Sequence, residues 1–154
     1  MWENATRHFF TSGSGEGISH LNSFDNALID AKIGNTNLIK CSSIVPAYCT
    51  LIEPIQIRQG MFLPVAYAYI TSSMKGQRIS AAVAVAYPED EDHAALVMEF
   101  SAVGSKEVVE AQVRLMAQAG MEYREKKIKD IRSIAVEHLV LEYGSAFAAV
   151  VLCQ

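Results

Sequence analysis

The sequence predicts an α+β layered sandwich, and three observations carry that prediction. Two segments place apolar residues at helical spacing, each behind a serine able to cap it. Several others read as strands, dense in β-branched, aromatic and alanine residues. Of the 154 residues, 51% are hydrophobic, which is enough apolar surface for a core without disulfide or metal staples.

The elements follow in order. Residues 7–12 predict a first strand, and the glycine-rich stretch 13–17 a flexible turn. That stretch lacks both the lysine-serine ending of a phosphate loop and the glycine spacing of a dinucleotide site. Ser19 predicts the cap of a helix over 20–32 whose apolar stripe is Leu21, Phe24, Leu28 and Ile29. Asp25 falls inside that stripe, where a carboxylate needs a partner. Gly34 supplies a helix stop, since glycine accepts left-handed backbone. Residues 36–42 predict a strand ending at a serine pair, and Pro46 and Pro54 bracket a looser connection. Strands are expected over 62–72, 78–87 and 94–102, the second rich in alanines that let another layer approach closely. The acidic run 88–92 lacks the glycine and spacing of a calcium loop and reads as a hairpin tip. Ser105 caps a helix over 105–124, with Val108, Val109, Val113, Leu115 and Met116 covering one side. Segments 131–142 and 146–152 predict a closing hairpin bent at Gly144.

Composition excludes several functions. The net charge of −4 argues against a nucleic-acid partner, which would want a basic stripe. No apolar run reaches the length of a membrane span, and no signal peptide is evident, so neither a membrane nor export is expected. Cys41, Cys49 and Cys153 fit small buried thiols in a reducing cytoplasm, and neither they nor His8, His20, His93 and His138 have metal-ligand spacing, so no metal is expected.

The serine pair is the chemical signal. Ser42 and Ser43 stand between Leu38-Ile39-Lys40-Cys41 and Ile44-Val45-Pro46, at the far end of the strand expected over 36–42. Adjacent serines alone are common in loops. Here five blocks stand in order along the chain: 21–25 (Leu-Asn-Ser-Phe-Asp), 33–39 (Ile-Gly-Asn-Thr-Asn-Leu-Ile), 42–46 (Ser-Ser-Ile-Val-Pro), 97–100 (Val-Met-Glu-Phe) and 133–138 (Ser-Ile-Ala-Val-Glu-His). Together they resemble the pyruvoyl-dependent arginine decarboxylases.

That resemblance implies a four-layer αββα arrangement, a homotrimer or a higher multiple of it, and a ketone cofactor, the pyruvoyl group, made from Ser43. The Ser43 hydroxyl would attack the Ser42 carbonyl, β-elimination would part the chains, and hydrolysis would release ammonia. The products would be 1–42 and 43–154, still one domain. Decarboxylation leaves a carbanion that no side chain delocalises, so a carbonyl electron sink is required. No pyridoxal phosphate site is evident, and the pyruvoyl group would supply the sink instead. The implied reaction turns arginine into agmatine and CO2, an early step toward polyamines.

The resemblance also assigns roles. Asn37 would stand near the cut bond and steady its oxyanion, although the residue also suits an ordinary strand entry. Glu99 would return a proton to substrate carbon. Alternation puts it with Val97 and Ser101, opposite Leu96, Met98 and Phe100, and apolar surroundings there would let it hold a proton. The same pattern also fits a glutamate on a solvent face. Asp25 would meet the guanidinium, across a subunit boundary, because a planar fork matches a carboxylate; alternatively it pairs with Lys32 or Lys40. Leu21 and Gly34 would line the slot for the aliphatic stem. Glu137 and His138 are expected to form a hydrogen-bonded structural pair. Two further readings stay open: decarboxylation of another cationic amino acid such as histidine, and an uncut, non-enzymatic binding protein.

Overall fold

A computed structural model describes residues 3–154 and stacks them in four layers, helix, sheet, sheet, helix. In chain order the elements are β1 (Arg7–Gly17), α1 (His20–Asp30), β2 (Asn37–Lys40), β3 (Ile44–Val45), β4 (Thr50–Leu51), β5 (Phe62–Ser72), β6 (Arg78–Pro88), β7 (Ala95–Val103), α2 (Lys106–Tyr123), β8 (Ile128–Leu139) and β9 (Tyr143–Cys153). One sheet has the order β2-β5-β9-β1-β4 and the other β3-β7-β6-β8. Among the described residues, no helix is long and apolar enough to cross a membrane.

Strand alternation builds the layers. Ala81, Val83 and Val85 of β6 point between the sheets, where they meet Ala66, Ala68, Ala148 and Val150. Ala82, Ala84 and Ala86 point the other way, onto Val109, Val113, Ala117 and Met121 of α2. Those four lie four residues apart on one helical stripe. Val108 and Leu115, expected to share it, are exposed instead, because they lie on the outward side of α2.

The glycine-rich stretch is strand rather than turn. β1 runs on to Gly17, paired residue by residue with β9. Alternation puts Gly13, Gly15 and Gly17 on one face, and α1 lies on them. A Cβ on Gly13 would stand 2.2 Å from the Ala27 carbonyl oxygen and 2.6 Å from the Ala31 nitrogen. The residues of α1 that face this strip are accordingly small: Ser23, Ala27 and then Ala31. Gly13→Ala should therefore force α1 off the sheet and lower the Tm by ~5–10 °C in a thermal melt, from a clash of ~1–3 kcal/mol. An unchanged Tm would show that α1 is not seated there.

This close seating shifts the expected stripe: Leu28 is buried and Phe24 packs against the core as expected, but the other two positions are not. Leu21 and Ile29 are exposed, and so is Asp25, whose carboxylate faces outward rather than into a buried face. The helix stop also differs. Lys32, not Gly34, takes the left-handed conformation (φ 67°), and the amides of Lys32 and Ile33 close back on the carbonyls of Ile29 and Leu28 at 3.0 and 3.1 Å. Gly34 is required for space instead, since a Cβ there would sit 2.5 Å from Ile29 Cδ1.

The expected closing hairpin does not form. β8 pairs with β6 in one sheet and β9 with β1 and β5 in the other, so residues 140–142 cross between layers. Glu16 fastens this crossing. Its carboxylate accepts bonds from His138 Nε2 (2.6 Å) and from the Leu141 and Glu142 amides (both 2.9 Å). Partial burial pushes its carboxyl pKa up, but those donors outweigh it and hold the pKa below the usual value. Glu137 points elsewhere, to Arg78 Nε at 3.4 Å and the Lys106 amide at 3.3 Å, so Glu137 and His138 do not form a pair with each other.

A second bridge between the sheets starts from a fully buried histidine. His8 of β1 shares a 2.8 Å hydrogen bond with the Tyr87 hydroxyl of β6. Burial lowers its pKa from 6.5 to about 4, against a smaller upward push from a backbone hydrogen bond at Thr50. The unfolded chain thus binds a proton below pH 6.5 that the folded chain refuses until about pH 4. Stability from this group is present above that window and falls as pH drops through it, by up to about 3 kcal/mol. In NMR titrations the His8 ring should change charge near pH 4. A midpoint near 6.5 would mean a solvated ring.

Candidate active site

The serine pair lies where the chain passes from one sheet to the other. Cys41 is still tied to the first sheet, its amide donating to the Val65 carbonyl at 2.9 Å. Ser43 already belongs to the second, its carbonyl accepting from the Val97 amide at 2.9 Å. The next two residues form β3, which pairs with β7, Ile44 against Leu96 and Val45 against Ala95. Ser42 is the exposed link between these two anchorages. The expected strand over 36–42 thus ends at Lys40, short of the pair.

Holding both ends costs the backbone its ease. Ser43 has φ 57°, in the left-handed region. For a residue with a Cβ this conformation costs about 1–2 kcal/mol. The same twist turns the side chain onto β7, where Ser43 Oγ donates to Glu99 Oε1 at 2.8 Å.

Glu99 stands as alternation predicts. Leu96, Met98 and Phe100 pack toward α2, and Val97 lies between the sheets. Ser101, next on the Glu99 side, reaches across to the Tyr69 carbonyl of β5 at 2.9 Å. The surroundings of Glu99 are less apolar than expected. Besides the serine hydroxyl, its second oxygen Oε2 meets Lys40 Nζ at 3.5 Å. The lysine ammonium in turn sits 4.6 Å from the centre of the Tyr67 ring. Neither Lys40 nor Tyr67 is expected at this site from the sequence. The available signal was a lone cation closing the apolar run Leu38-Ile39, three residues before Ser43.

The remaining expected residues lie elsewhere within one chain. Asn37 opens β2, at the opposite end from the serine pair, and its Nδ2 donates to the Gly60 carbonyl at 3.0 Å. Asp25 and Leu21 ride on α1, in the outer layer against the five-stranded sheet, with Leu21 76% exposed. Lys40, one of the two partners considered for Asp25, is engaged with Glu99. Gly34 lies beneath Ile29. The cleft of about 580 Å³ bounded by Tyr48, Tyr87, His93 and Arg132 does not include Ser43 or Glu99. The serine pair links β2 and β3, the edge strands of the two sheets, next to exposed Ile44.

A serine in left-handed backbone with its hydroxyl on a carboxylate can give up its proton to that carboxylate and attack a neighbouring carbonyl. Comparison with known proteins identifies the family. The family model described as pyruvoyl-dependent arginine decarboxylase matches residues 7–154. The protein of that name from Methanococcus aeolicus is 47% identical over 141 residues, 92% of this chain and 86% of its own length. Its counterpart in Methanocaldococcus jannaschii is 45% identical over the same spans. The one from Pyrococcus abyssi is 37% identical over 153 residues, 98% and 96% of the two chains. A solved structure of pyruvoyl-dependent histidine decarboxylase aligns with a TM-score of 0.52 at 15% identity, covering 64% of this chain and 53% of that one. At that identity the likeness concerns the fold, and it agrees with the layered α+β architecture.

Proposed function

The chain belongs to the pyruvoyl-dependent arginine decarboxylase family and is a decarboxylase; we propose that it makes its cofactor by cutting itself between Ser42 and Ser43 and then converts L-arginine to agmatine and CO2. The observation that carries this reading is the left-handed Ser43 with its hydroxyl on Glu99.

The steps follow from groups in place. Glu99 takes the hydroxyl proton as Ser43 Oγ attacks the Ser42 carbonyl, and the peptide becomes an ester. Loss of the Ser43 α-proton expels the Ser42 carboxylate, leaving a dehydroalanine at 43. Addition of one water and loss of one ammonia leave the ketone. Left-handed backbone favours the first step, since turning Ser43 out of that conformation releases strain. The two products, 1–42 and 43–154, remain one body in this reading, because β1 lies between β9 and β4 and β2 adds to β5.

The residues present fit such a group. Position 43 is half-buried, beside a carboxylate whose side chain is 17% exposed. The pyruvoyl carbonyls supply the electron sink for the decarboxylation. Glu99, on the same spot, holds the proton that goes to the substrate carbon. The reading calls for neither a metal nor pyridoxal phosphate, and it places the enzyme in the cytoplasm.

The other family positions enter from a neighbouring subunit in this reading. Asp25 and Leu21 face outward, and Ile18, Ile44, Phe62 and Tyr69 are likewise exposed apolar side chains that a second copy would cover. A homotrimer, or a multiple of it, would bring the Asp25 carboxylate of one chain to the guanidinium bound at Ser43 of the next. Leu21 and Gly34 would flank the aliphatic stem. Asn37 of the neighbouring chain would act on the oxyanion, since within one chain it lies at the far end of β2. Asp25→Ala should still cut itself but lose ~30- to 1000-fold in kcat/KM for arginine, the ~2–4 kcal/mol of an unpaired buried guanidinium. Unchanged arginine kinetics would remove Asp25 from that role.

For the reaction as a whole, arginine should yield agmatine and CO2 in equal amounts, and borohydride with arginine present should attach the substrate to the 43–154 fragment. Absence of agmatine from a fully cut preparation would reject arginine as substrate.

A further inference from the structure

Among the described residues, Lys40 is the one charged group touching the Ser43–Glu99 pair that has no part in the proposed reaction; its assignment here rests on that reading. Lys40 closes β2, three residues before Ser43, and belongs to the 1–42 fragment, whereas Glu99 belongs to 43–154. The Glu99 carboxylate is divided between two partners, with Oε1 2.8 Å from Ser43 Oγ and Oε2 3.5 Å from Lys40 Nζ. We propose that Lys40 is a positioning residue for both the self-cutting and the decarboxylation. Its ammonium, seated 4.6 Å from the centre of the Tyr67 ring, holds Oε2 so that Oε1 stays aimed at position 43.

Two physical reasons require such a group. The terminal torsion of a glutamate is broad and two-fold, so a carboxylate anchored at one oxygen only swings through a range of aims. Once Ser43 becomes a ketone its Oγ has left with Ser42, and the only anchor on Oε1 is gone. The ammonium on Oε2 is what remains to fix the carboxyl through turnover. Charge is the second reason. Scission places a new carboxylate on Ser42, next to the Glu99 carboxylate and in the path of a substrate that carries a third. Like charges gathered in a partly dry site repel strongly, and a cation among them offsets that.

The ion pair is an open one. The Lys40 side chain is 53% exposed and that of Glu99 17% exposed. Pairs of this kind add little to folding stability. A kinetic loss far larger than any loss in Tm therefore marks positioning rather than structural support.

The test compares the native chain with Lys40→Met, Lys40→Arg and, as a second neutral variant, Lys40→Gln. Three quantities are read: the rate of 42–43 scission in freshly made protein, kcat and KM on the cut fraction, and Tm. The neutral variants should cut more slowly and show kcat ~10- to 100-fold lower. KM should change little beside that, and Tm should stay within ~2 °C. The Arg variant, which keeps the charge, should regain most of both rates. Neutral variants that match the native chain in scission and kcat would overturn the assignment. So would an Arg variant as impaired as the Met variant, or losses that track Tm. A native chain that never cuts is a different result: it removes the Ser43 reading itself.

Discussion

Ser43→Ala stays a single 154-residue chain on a denaturing gel and makes no agmatine. The substitution deletes one oxygen, the one that donates to Glu99 Oε1 at 2.8 Å, and leaves the Ser42–Ser43 backbone otherwise as it is. Without that oxygen there is no ester, no elimination and no ketone, so the loss of activity is complete rather than partial. The fold should survive. Neither sheet depends on the hydroxyl: Ser43 is held by its own carbonyl on the Val97 amide, and Cys41 by its amide on Val65. Circular dichroism should therefore match the native chain. Ser42→Ala makes the informative contrast. Only the carbonyl of residue 42 takes part, and its side chain is in an exposed link, so this variant should cut at close to the native rate. If Ser42→Ala were blocked and Ser43→Ala cut normally, the attacking residue would have been assigned one position too late.

Glu99→Gln should lower kcat by ~10²–10⁴, the usual worth of a positioned proton donor. The amide keeps a carbonyl oxygen for Ser43 Oγ to donate to, so the local packing survives, but an amide neither takes nor returns a proton. Because one carboxylate touches the very hydroxyl that starts the self-cutting, scission should slow as well. The two effects are separable. Prolonged incubation lets the slow cut reach completion, and turnover per cut chain can then be measured. A Gln variant with native turnover would exclude Glu99 as proton donor, whatever it did to scission. Loss of turnover with a scission rate equal to native would confine Glu99 to the second reaction.

The layered α+β class was legible because its signature is periodic. Alternation on β6 and β7 sorts Ala81, Val83 and Val85 from Ala82, Ala84 and Ala86, and sets Glu99 with Val97, as found. Ser19 and Ser105 cap their helices as expected, with side chains accepting from the Asn22 and Val108 amides. What failed depends on neighbours that a single sequence does not display. Gly13, Gly15 and Gly17 look like a turn until a helix is laid on them. They also bring small Ser23 and Ala27 into the buried face of α1 beside Leu28 and turn Leu21 and Asp25 outward. The segments that make up β8 and β9 read as a hairpin because both are strands around a glycine, and nothing local reveals that they serve different sheets. At the site, Ser43 and Glu99 were legible from the blocks of the resemblance, whereas Lys40 meets Glu99 only through the crossing of the chain between sheets.

The most direct measurement is the intact mass of purified, active protein under denaturing conditions. Self-cutting at Ser43 predicts two species, residues 1–42 with a free carboxylate and a 43–154 fragment lighter by one ammonia than one that begins with serine. Active protein that shows one uninterrupted mass for all 154 residues would contradict it.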